Sequence, residues 1–193
     1  MIKERVIIMA LPKEDQRYTY EDYYSWDDGE RWELIDGVAY MMSPAPLRIH
    51  QGILFEIAGQ FHEFLKDKPC KAYIAPFDVR LNADTSDDTV VQPDLVVVCD
   101  TSKLDDRGCK GAPDMVLEIL SPSTSRRDKV LKFHTYLRAG VREYWIVDPD
   151  TKTVATNILK NGEYITNAYT DADTVSVHVM EGCKIILADV FNP

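Results

Sequence analysis

The sequence lacks the features of a membrane protein. It has no apolar run approaching the ~20 residues that a membrane-spanning helix needs. Its first sixteen residues contain no sustained apolar core followed by a small-residue cleavage site, so they do not resemble a signal peptide. We therefore expect no membrane association, and we interpret residues 1–16 as an N-terminal tail.

Cysteine is scarce, and its spacing excludes the common zinc-binding patterns. The chain has four cysteines, and no two of them form a Cys-x-x-Cys pair. Because free thiols are normal where the environment is reducing, the sequence predicts reduced cysteines in a cytoplasmic protein. The four residues are Cys70, Cys99, Cys109 and Cys183.

Positive charge is also in deficit. The chain has 22 basic against 32 acidic residues, a formal net charge of −10. This balance argues against a protein that grips nucleic acid with its whole surface, although it leaves room for a local basic groove. With 193 residues, of which 45% are apolar and 28% charged, the composition predicts one globular domain over 1–193.

Local patterns predict an α/β protein. Apolar periodicity, caps and turn residues indicate helices and strands that alternate through the middle of the chain. We expect a mixed sheet flanked by helices, followed by an antiparallel C-terminal meander. The predicted elements are helices at 20–26, 47–66 and 125–139, hairpins turning at Asp36-Gly37 and Asn161-Gly162, a loop at 100–111, and strands at 71–81, 90–98, 115–120, 142–147, 175–179 and 184–187.

Two acids in apolar strands are the chemically conspicuous feature. Asp94 precedes Leu-Val-Val-Val, and Glu118 lies within Met-Val-Leu-Glu-Ile-Leu. A carboxylate in such a position is costly unless it is paired or binds a cation. Two carboxylates on adjacent strands are enough for magnesium, which can activate water for phosphodiester hydrolysis. The alternative is a structural ion pair, and Asp114, on the same strand face as Glu118, is a rival that we interpret as a solvated turn residue.

A basic residue is expected to complete such a site, but Leu120 occupies the strand position two residues after Glu118. Lys129 and Lys132 on the following helix are the candidates. The helical wheel leaves the choice open, because Lys129 lies nearer the apolar stripe of the helix. Periodicity alone favours a solvated Asp128–Lys132 pair at i,i+4, worth roughly 0.2–0.5 kcal/mol.

The combined motifs resemble the Uma-type family of endonucleases, in the restriction-endonuclease-like PD-(D/E)XK superfamily. The resemblance runs from about Tyr18 to Pro149. It implies a restriction-endonuclease-like core, a divalent metal (Mg²⁺ or Mn²⁺) held by Asp94 and Glu118, and Lys132 in place of the missing strand lysine. The motifs are Trp32-Glu33-Leu34-Ile35-Asp36-Gly37, Met42-Ser43-Pro44, His50-Gln51, Gln92-Pro93-Asp94, the run from Ala112 to Thr124, Asp128, Lys132, Tyr136, Gly140-Val141 and the run from Glu143 to Pro149.

Four further polar residues are candidates with open alternatives. The resemblance implies that Glu33 reaches the metal or its water, but it could be a surface glutamate. Gln92 is two residues from Asp94, so it would share its strand face and contact water or phosphate, unless it is a satisfied buried amide. His50 points inward near a helix start, as a second-shell group or a core histidine. Tyr136 could donate to phosphate or simply pack at the core boundary.

Basic residues precede and follow the Glu118 strand and could contact the phosphate backbone, unless nearby acids cancel them on a mixed, solvated surface. Asp128 and Lys129 are additional second-shell candidates. Arg126 and Arg127 are the predicted phosphate contacts. The full basic set is Lys103, Arg107, Lys110, Arg126, Arg127, Lys129 and Lys132.

These observations predict a Mg²⁺- or Mn²⁺-dependent endonuclease acting on DNA, with Asp94, Glu118, Lys132 and Gln92 as its catalytic set. The alternative is a catalytically inactive nuclease-fold module that binds nucleic acid or a protein partner. We expect a homodimer or higher homo-oligomer, since symmetric assembly is common among such folds.

Overall fold

The computed structural model of the protein describes residues 16–42, 45–121 and 127–192, and only the backbone for 127–129. Within these ranges the chain forms four α-helices and fourteen strands. The helices are α1 (Tyr20–Tyr24), α2 (Arg48–Leu65), α3 (Arg127–Ala139) and α4 (Leu187–Val190). The strands are β1 (Trp32–Ile35), β2 (Val38–Met41), β3 (Lys71–Ile74), β4 (Val79–Arg80), β5 (Val90–Val91), β6 (Leu95–Val98), β7 (Leu104–Asp105), β8 (Gly108–Lys110), β9 (Met115–Ile119), β10 (Glu143–Asp148), β11 (Thr153–Lys160), β12 (Glu163–Thr170), β13 (Thr174–Ser176) and β14 (Lys184–Ile186).

The predicted α/β class is confirmed, but the strands form two mixed six-stranded sheets instead of one. The N-terminal sheet has the order β2-β1-β5-β4-β8-β7, and the main sheet has the order β12-β11-β10-β9-β6-β3. In the main sheet β9 is parallel to β10 and antiparallel to β6, so β9 is a central strand as predicted. Strands β13 and β14 pair separately and antiparallel at the end of the chain.

Two predicted strands are wrong because each divides between the sheets. The stretch 71–81 becomes β3 in the main sheet and β4 in the N-terminal sheet, and 90–98 becomes β5 and β6 in the same way. Pro76 and Pro93 lie at the two breaks, where a residue without a backbone N–H cannot continue a ladder. As a consequence, Gln92 and Asp94 do not share a strand face.

The predicted loop 100–111 is also wrong, because it contains the β7–β8 hairpin of the N-terminal sheet. Gly108 there has φ +135°, and a Cβ atom at this position would lie 2.1 Å from the Asp78 carbonyl oxygen. Only glycine allows this approach, which lets the Cys109 N–H donate to the same carbonyl at 2.9 Å.

The long helix is confirmed at Arg48–Leu65 and covers one face of the main sheet. Its residues Ile53, Ile57 and Phe61 join Leu95, Leu117 and Trp145 in one buried cluster. Alternate residues of the same strands point the other way. Val96 and Val116 pack with Tyr136 of α3 and with residues of the N-terminal sheet.

Turn chemistry behaves as expected at two places. Helix α3 ends at Gly140, with φ +82°, where the Val141 N–H donates to the Tyr136 carbonyl at 3.0 Å in a Schellman arrangement. Asn161 and Gly162 have φ +52° and +85°, as a two-residue type I′ hairpin requires. The resulting β11–β12 hairpin extends the main sheet.

The prediction of four reduced cysteines is wrong. Lys71 pairs with Val98 in the β3–β6 ladder, so Cys70 and Cys99 face each other one residue further, and they form a disulfide. Cys109 and Cys183 are free and buried. The argument for a cytoplasmic location from reduced thiols therefore no longer holds. None of the helices in the described ranges combines the length and apolar content that crossing a bilayer requires.

Candidate active site

Strand pairing brings Asp94 and Glu118 together. Leu95 is registered with Leu117 and Val96 with Val116, so Asp94, immediately before β6, lies opposite Glu118 of β9. Residues directly opposite on antiparallel strands project from the same face. The Ile119 N–H donates to Asp94 Oδ2 at 2.7 Å, which ties the Asp94 carboxylate to the β9 backbone.

Lys132 points inward from α3 to this pair of acids. Its Nζ lies 3.0 Å from Glu118 Oε1 and 2.9 Å from Glu33 Oε1, with the lysine side chain 13% exposed. Periodicity alone had favoured a solvated partner for Lys132. The buried face of α3 carries Lys132 and the fully buried Tyr136, whereas Val130 is 59% exposed.

Tyr136 explains why this helix face is buried. It follows Lys132 by four residues and therefore lies on the same side of α3. Its hydroxyl donates to Glu118 Oε1 at 2.7 Å, so the lysine and the tyrosine share one carboxylate oxygen. Helix α3 thus positions two donors on Glu118.

Glu33 joins the two sheets at the site. It comes from β1 of the N-terminal sheet, and its Oε1 accepts from Lys132 Nζ and from the Gln92 backbone N–H at 2.8 Å. The sequence identified Glu33 as a candidate but could not assign its partner. The structure places it in contact with Lys132, 99 residues away along the chain.

The electrostatics of the cluster are dominated by burial and by the excess of acids. Burial, reinforced by the negative charges of Asp94 and Glu33 and opposed by Lys132, raises the pKa of Glu118 to about 7. Burial lowers the pKa of Lys132, but the attraction of Glu118 and Glu33 outweighs it, and its pKa lies above the usual value. Lys132 therefore keeps its positive charge. A second cation beside Glu118 would further stabilise the charged form of that carboxyl group.

His50 lies beside Asp94 in the first turn of α2. Its Nε2 is 3.3 Å from Asp94 Oδ2, and its Nδ1 is buried without a hydrogen-bond partner within the described ranges. Burial lowers the pKa of His50, but the hydrogen bond to Asp94 and the charges of Asp94 and Glu118 raise it by more. His50 thus holds the oxygen of Asp94 that the Ile119 N–H also contacts.

The donor set fits a divalent cation that prefers oxygen. In the described ranges, the hydrogen bonds to Asp94 and Glu118 fall on Oδ2 and Oε1, which leaves Oδ1 and Oε2 without a donor. No group of three or more His, Cys, Asp or Glu residues in these ranges is arranged to hold a metal. Two carboxylates, each with one oxygen left open, suit Mg²⁺ or Mn²⁺ completed by water, a coordination that magnesium accepts.

Gln92 has partners other than the two acids. Its Nε2 donates to the Tyr23 hydroxyl and to Asp78 Oδ1, both at 2.9 Å. Its Oε1 accepts from Arg31. The expected face shared with Asp94 does not exist because Pro93 ends the strand between them. Neither Tyr23 nor Arg31 had been identified from the sequence, since no local pattern links them to Gln92.

The predicted basic flank is only partly described. Lys103 donates to a backbone carbonyl, Arg107 lies over a tyrosine ring and Lys110 pairs with Asp105, so these three bases are engaged within the N-terminal sheet region. Arg126 lies outside the described residues, as do the side chains of Arg127, Asp128 and Lys129.

Asp114, interpreted from sequence as a solvated turn residue, is instead a paired acid. Its side chain is 12% exposed, its Oδ1 lies 2.9 Å from Arg142 Nη1, and its Oδ2 accepts from the Cys99 N–H at 2.7 Å. It lies at the opposite end of β9 from Glu118.

Comparison with known proteins decides the family. The sequence matches the family Uma2, described as “Putative restriction endonuclease”, over residues 20–188. This chain belongs to the Uma2 family. The crystal structure of a “putative nuclease belonging to DUF820” from Anabaena variabilis is similar to this Uma2 protein with a TM-score of 0.73 and 21% identity, covering 90% of this chain and 97% of that chain. No curated protein matches the sequence.

The predicted family and the restriction-endonuclease-like fold are thereby confirmed. At 21% identity the structural likeness shows the fold alone. Membership of Uma2 makes this protein one of a family of nuclease type. The family match does not by itself assign a substrate, a metal or the roles of individual residues.

Proposed function

We propose that this Uma2 protein is a Mg²⁺- or Mn²⁺-dependent endonuclease that hydrolyses phosphodiester bonds in DNA. One observation carries the proposal. A buried lysine lies within 3.0 Å of Glu118, and Asp94 projects from the facing strand position on the same side of the sheet. Two convergent carboxylates beside an ammonium group are the parts that metal-assisted phosphodiester hydrolysis needs.

Asp94 and Glu118 would hold the metal ion through Oδ1 and Oε2, which accept from no donor among the described residues. When bound, the ion supplies Lewis-acid activation of water and of the phosphoryl oxygen. Tyr136 keeps the Glu118 carboxylate in place through its hydroxyl. His50 and the Ile119 N–H do the same for Asp94.

Lys132 would serve as a hydrogen-bond donor and not as a general base. Its pKa is raised by Glu118 and Glu33, so it keeps its proton at neutral pH. A fixed ammonium group can orient a water molecule and stabilise the negative charge that develops on a phosphoryl oxygen. Glu33, which lies on β1 of the N-terminal sheet, contacts the ammonium group of Lys132 and so fixes its direction.

The decisive experiment measures Mg²⁺-dependent cleavage of plasmid DNA by the wild type, Asp94→Asn, Glu118→Gln and the control Asp114→Asn. We expect losses of at least ~10²-fold for the two site variants, as is usual when a positioned charge is removed from an active site. Asp114→Asn changes an acid on the same strand outside the site, so it should retain activity. Equal background cleavage in all four proteins would contradict the proposal.

The alternative function is a nuclease-fold module without catalysis, and two observations favour it. The net charge is −10, and the strand position two residues after Glu118 is Leu120. Calorimetry with Mn²⁺ separates the two functions, because a catalytic site should bind the ion and lose it in Glu118→Gln. A wild type that binds no Mn²⁺ would support the module.

A homodimer or higher homo-oligomer remains part of the proposal, since two copies of one site are needed to cut both DNA strands at once. Sedimentation velocity of the wild type measures the assembly directly. A monomer at the concentrations used for cleavage would remove this part and leave the chemistry of the single site unchanged.

A further inference from the structure

A polar network beside the carboxylates takes no part in the chemistry proposed above. Tyr23 donates its hydroxyl to Asp78 Oδ1 at 3.0 Å, and Gln92 Nε2 donates to both groups. Burial raises the pKa of Asp78, although the donors Gln92 and Tyr23 lower it in part. Three polar side chains are therefore partly removed from water at a free-energy cost, and the metal site uses none of them.

The network fixes the direction of the Gln92 amide. Because both partners of Nε2 lie on one side, Gln92 Oε1 must point the other way, where it accepts from Arg31. Arg31 Nη2 lies at 2.6 Å and Nε at 3.2 Å from this oxygen. The Arg31 side chain is exposed, and its Nη1 has no protein acceptor in the described ranges.

The strand geometry places Arg31 next to the acid cluster. The Met42 N–H donates to the Arg31 carbonyl, which continues the β1–β2 ladder by one residue. Arg31 and Glu33, two residues apart, therefore project from the same face. Glu33 contacts Lys132 and accepts from the Gln92 backbone N–H, so Arg31 and Glu33 both contact Gln92.

Arg31 differs in its partner from three other arginines of the described ranges. Arg80, Arg138 and Arg142 each pair directly with a carboxylate. Arg31 is hydrogen-bonded to a neutral amide oxygen and interacts with the Asp78 carboxylate only through its charge, so its orientation is set while no carboxylate of the described residues occupies its outer edge. A guanidinium with a free edge is well suited to the planar, two-point recognition of a phosphate.

We propose that Arg31, held by the Gln92 amide at the edge of the carboxylate–lysine cluster, binds a phosphate of the DNA strand that is cut. The proposal rests on the proposed function, because it assigns the substrate contact of that site. Gln92 is then a positioning residue.

The test compares Arg31→Gln and Arg31→Lys with the matched control Arg142→Gln. The probe is a short fluorescein-labelled DNA duplex, and fluorescence anisotropy without divalent metal measures Kd over a series of salt concentrations. We expect Arg31→Gln to weaken binding on the order of tenfold and to reduce the slope of log Kd against log salt by about one, as the loss of one phosphate contact requires. Arg31→Lys should keep the slope and bind less tightly than the wild type, since it retains the charge without the fork.

Calorimetry should give Arg31→Gln the Mn²⁺ affinity of the wild type, which shows that the carboxylates are undisturbed. If the wild type cleaves DNA while Arg31→Gln has unchanged affinity and slope, the inference is overturned and the nuclease function stands. If Arg31→Gln and Arg142→Gln weaken binding equally, the effect is one of general charge and the inference is likewise overturned. A wild type that neither binds nor cleaves DNA would overturn both.

Discussion

The two ends of strand β9 carry acids that look alike in sequence and differ in structure. Asp114 precedes the strand and Glu118 lies near its other end, and each carboxylate has a cationic nitrogen within 3.0 Å. At Asp114 both oxygens are satisfied, one by Arg142 and one by a backbone N–H. At Glu118 one oxygen takes both donors, and two further acids stand close by.

The difference teaches how to separate a structural acid from a functional one. A carboxylate whose two oxygens both accept hydrogen bonds needs no further partner. Its cation can be largely exposed to solvent, as the 59% exposed Arg142 side chain is. A carboxylate that shares one cation with other acids is not fully neutralised, so a further cation would stabilise its charged form. Burial and the acidic neighbours raise the pKa of Glu118 to about 7, which reflects this incomplete neutralisation.

The largest effect is expected when the cation at the Glu118 end of β9 is removed. Lys132→Met leaves Glu118 and Glu33 buried without their cation, and we expect a loss of about 3–5 kcal/mol in the free energy of unfolding together with loss of cleavage. Arg142→Met, its counterpart at the structural end, should cost about 1 kcal/mol or less because the Arg142 side chain is exposed and Asp114 keeps its backbone N–H donor. Urea denaturation measures both. The double variant Lys132→Met/Glu118→Gln should regain part of the lost stability, because only Glu33 then lacks its cation, but no activity. Similar losses for Lys132→Met and Arg142→Met would contradict the comparison.

The next effect concerns the structural end alone. The Cys99 N–H that holds Asp114 belongs to the Cys70–Cys99 disulfide. Replacing both cysteines by serine should lower the free energy of unfolding by about 2–4 kcal/mol, because the denatured chain loses a constraint. Mn²⁺ affinity should not change, since the proposed metal site lies at the other end of β9. A parallel fall in Mn²⁺ affinity would show that the two ends are coupled.

A pair of isosteric variants should have unequal effects on stability. Asp114→Asn weakens a charge-assisted hydrogen bond and an ion pair, so we expect about 1–2 kcal/mol of destabilisation. Glu118→Gln removes a carboxylate whose charged form is disfavoured by burial and leaves Lys132 paired with Glu33. Its stability should therefore equal or exceed that of the wild type. Thermal unfolding of the two proteins side by side checks the prediction, and a larger loss for Glu118→Gln would be contrary to it.

The smallest effect refines the description of Glu118. Tyr136→Phe removes one donor without creating a cavity and should cost about 1 kcal/mol in stability. The kcat for DNA cleavage should fall because the carboxylate is less well positioned, whereas the KM for DNA should stay near the wild-type value. Thr135→Ser, a neighbouring buried change that retains the hydroxyl bonded to the Leu131 carbonyl, is the control. An unchanged kcat in Tyr136→Phe would show that Lys132 alone positions Glu118.

Much of the local structure was determined by sequence alone. Short-range signals specify helix α2, strand β9, the end of α3 at Gly140 and the Asn161-Gly162 hairpin, because each depends on neighbours along the chain. The two acids stood out for the same reason, as charged residues in apolar strands. The family likewise follows from motifs that can be read directly in the sequence.

The tertiary structure decided the partners. Which face of α3 is buried depends on what packs against it, so the helical wheel could not choose between Lys129 and Lys132. Strands 71–81 and 90–98 divide because two sheets compete for them. Glu33 meets Lys132, and Arg31 meets Gln92, across 99 and 61 residues. Periodicity describes one element at a time, whereas an ion pair between sheets exists only once the chain has brought distant segments together.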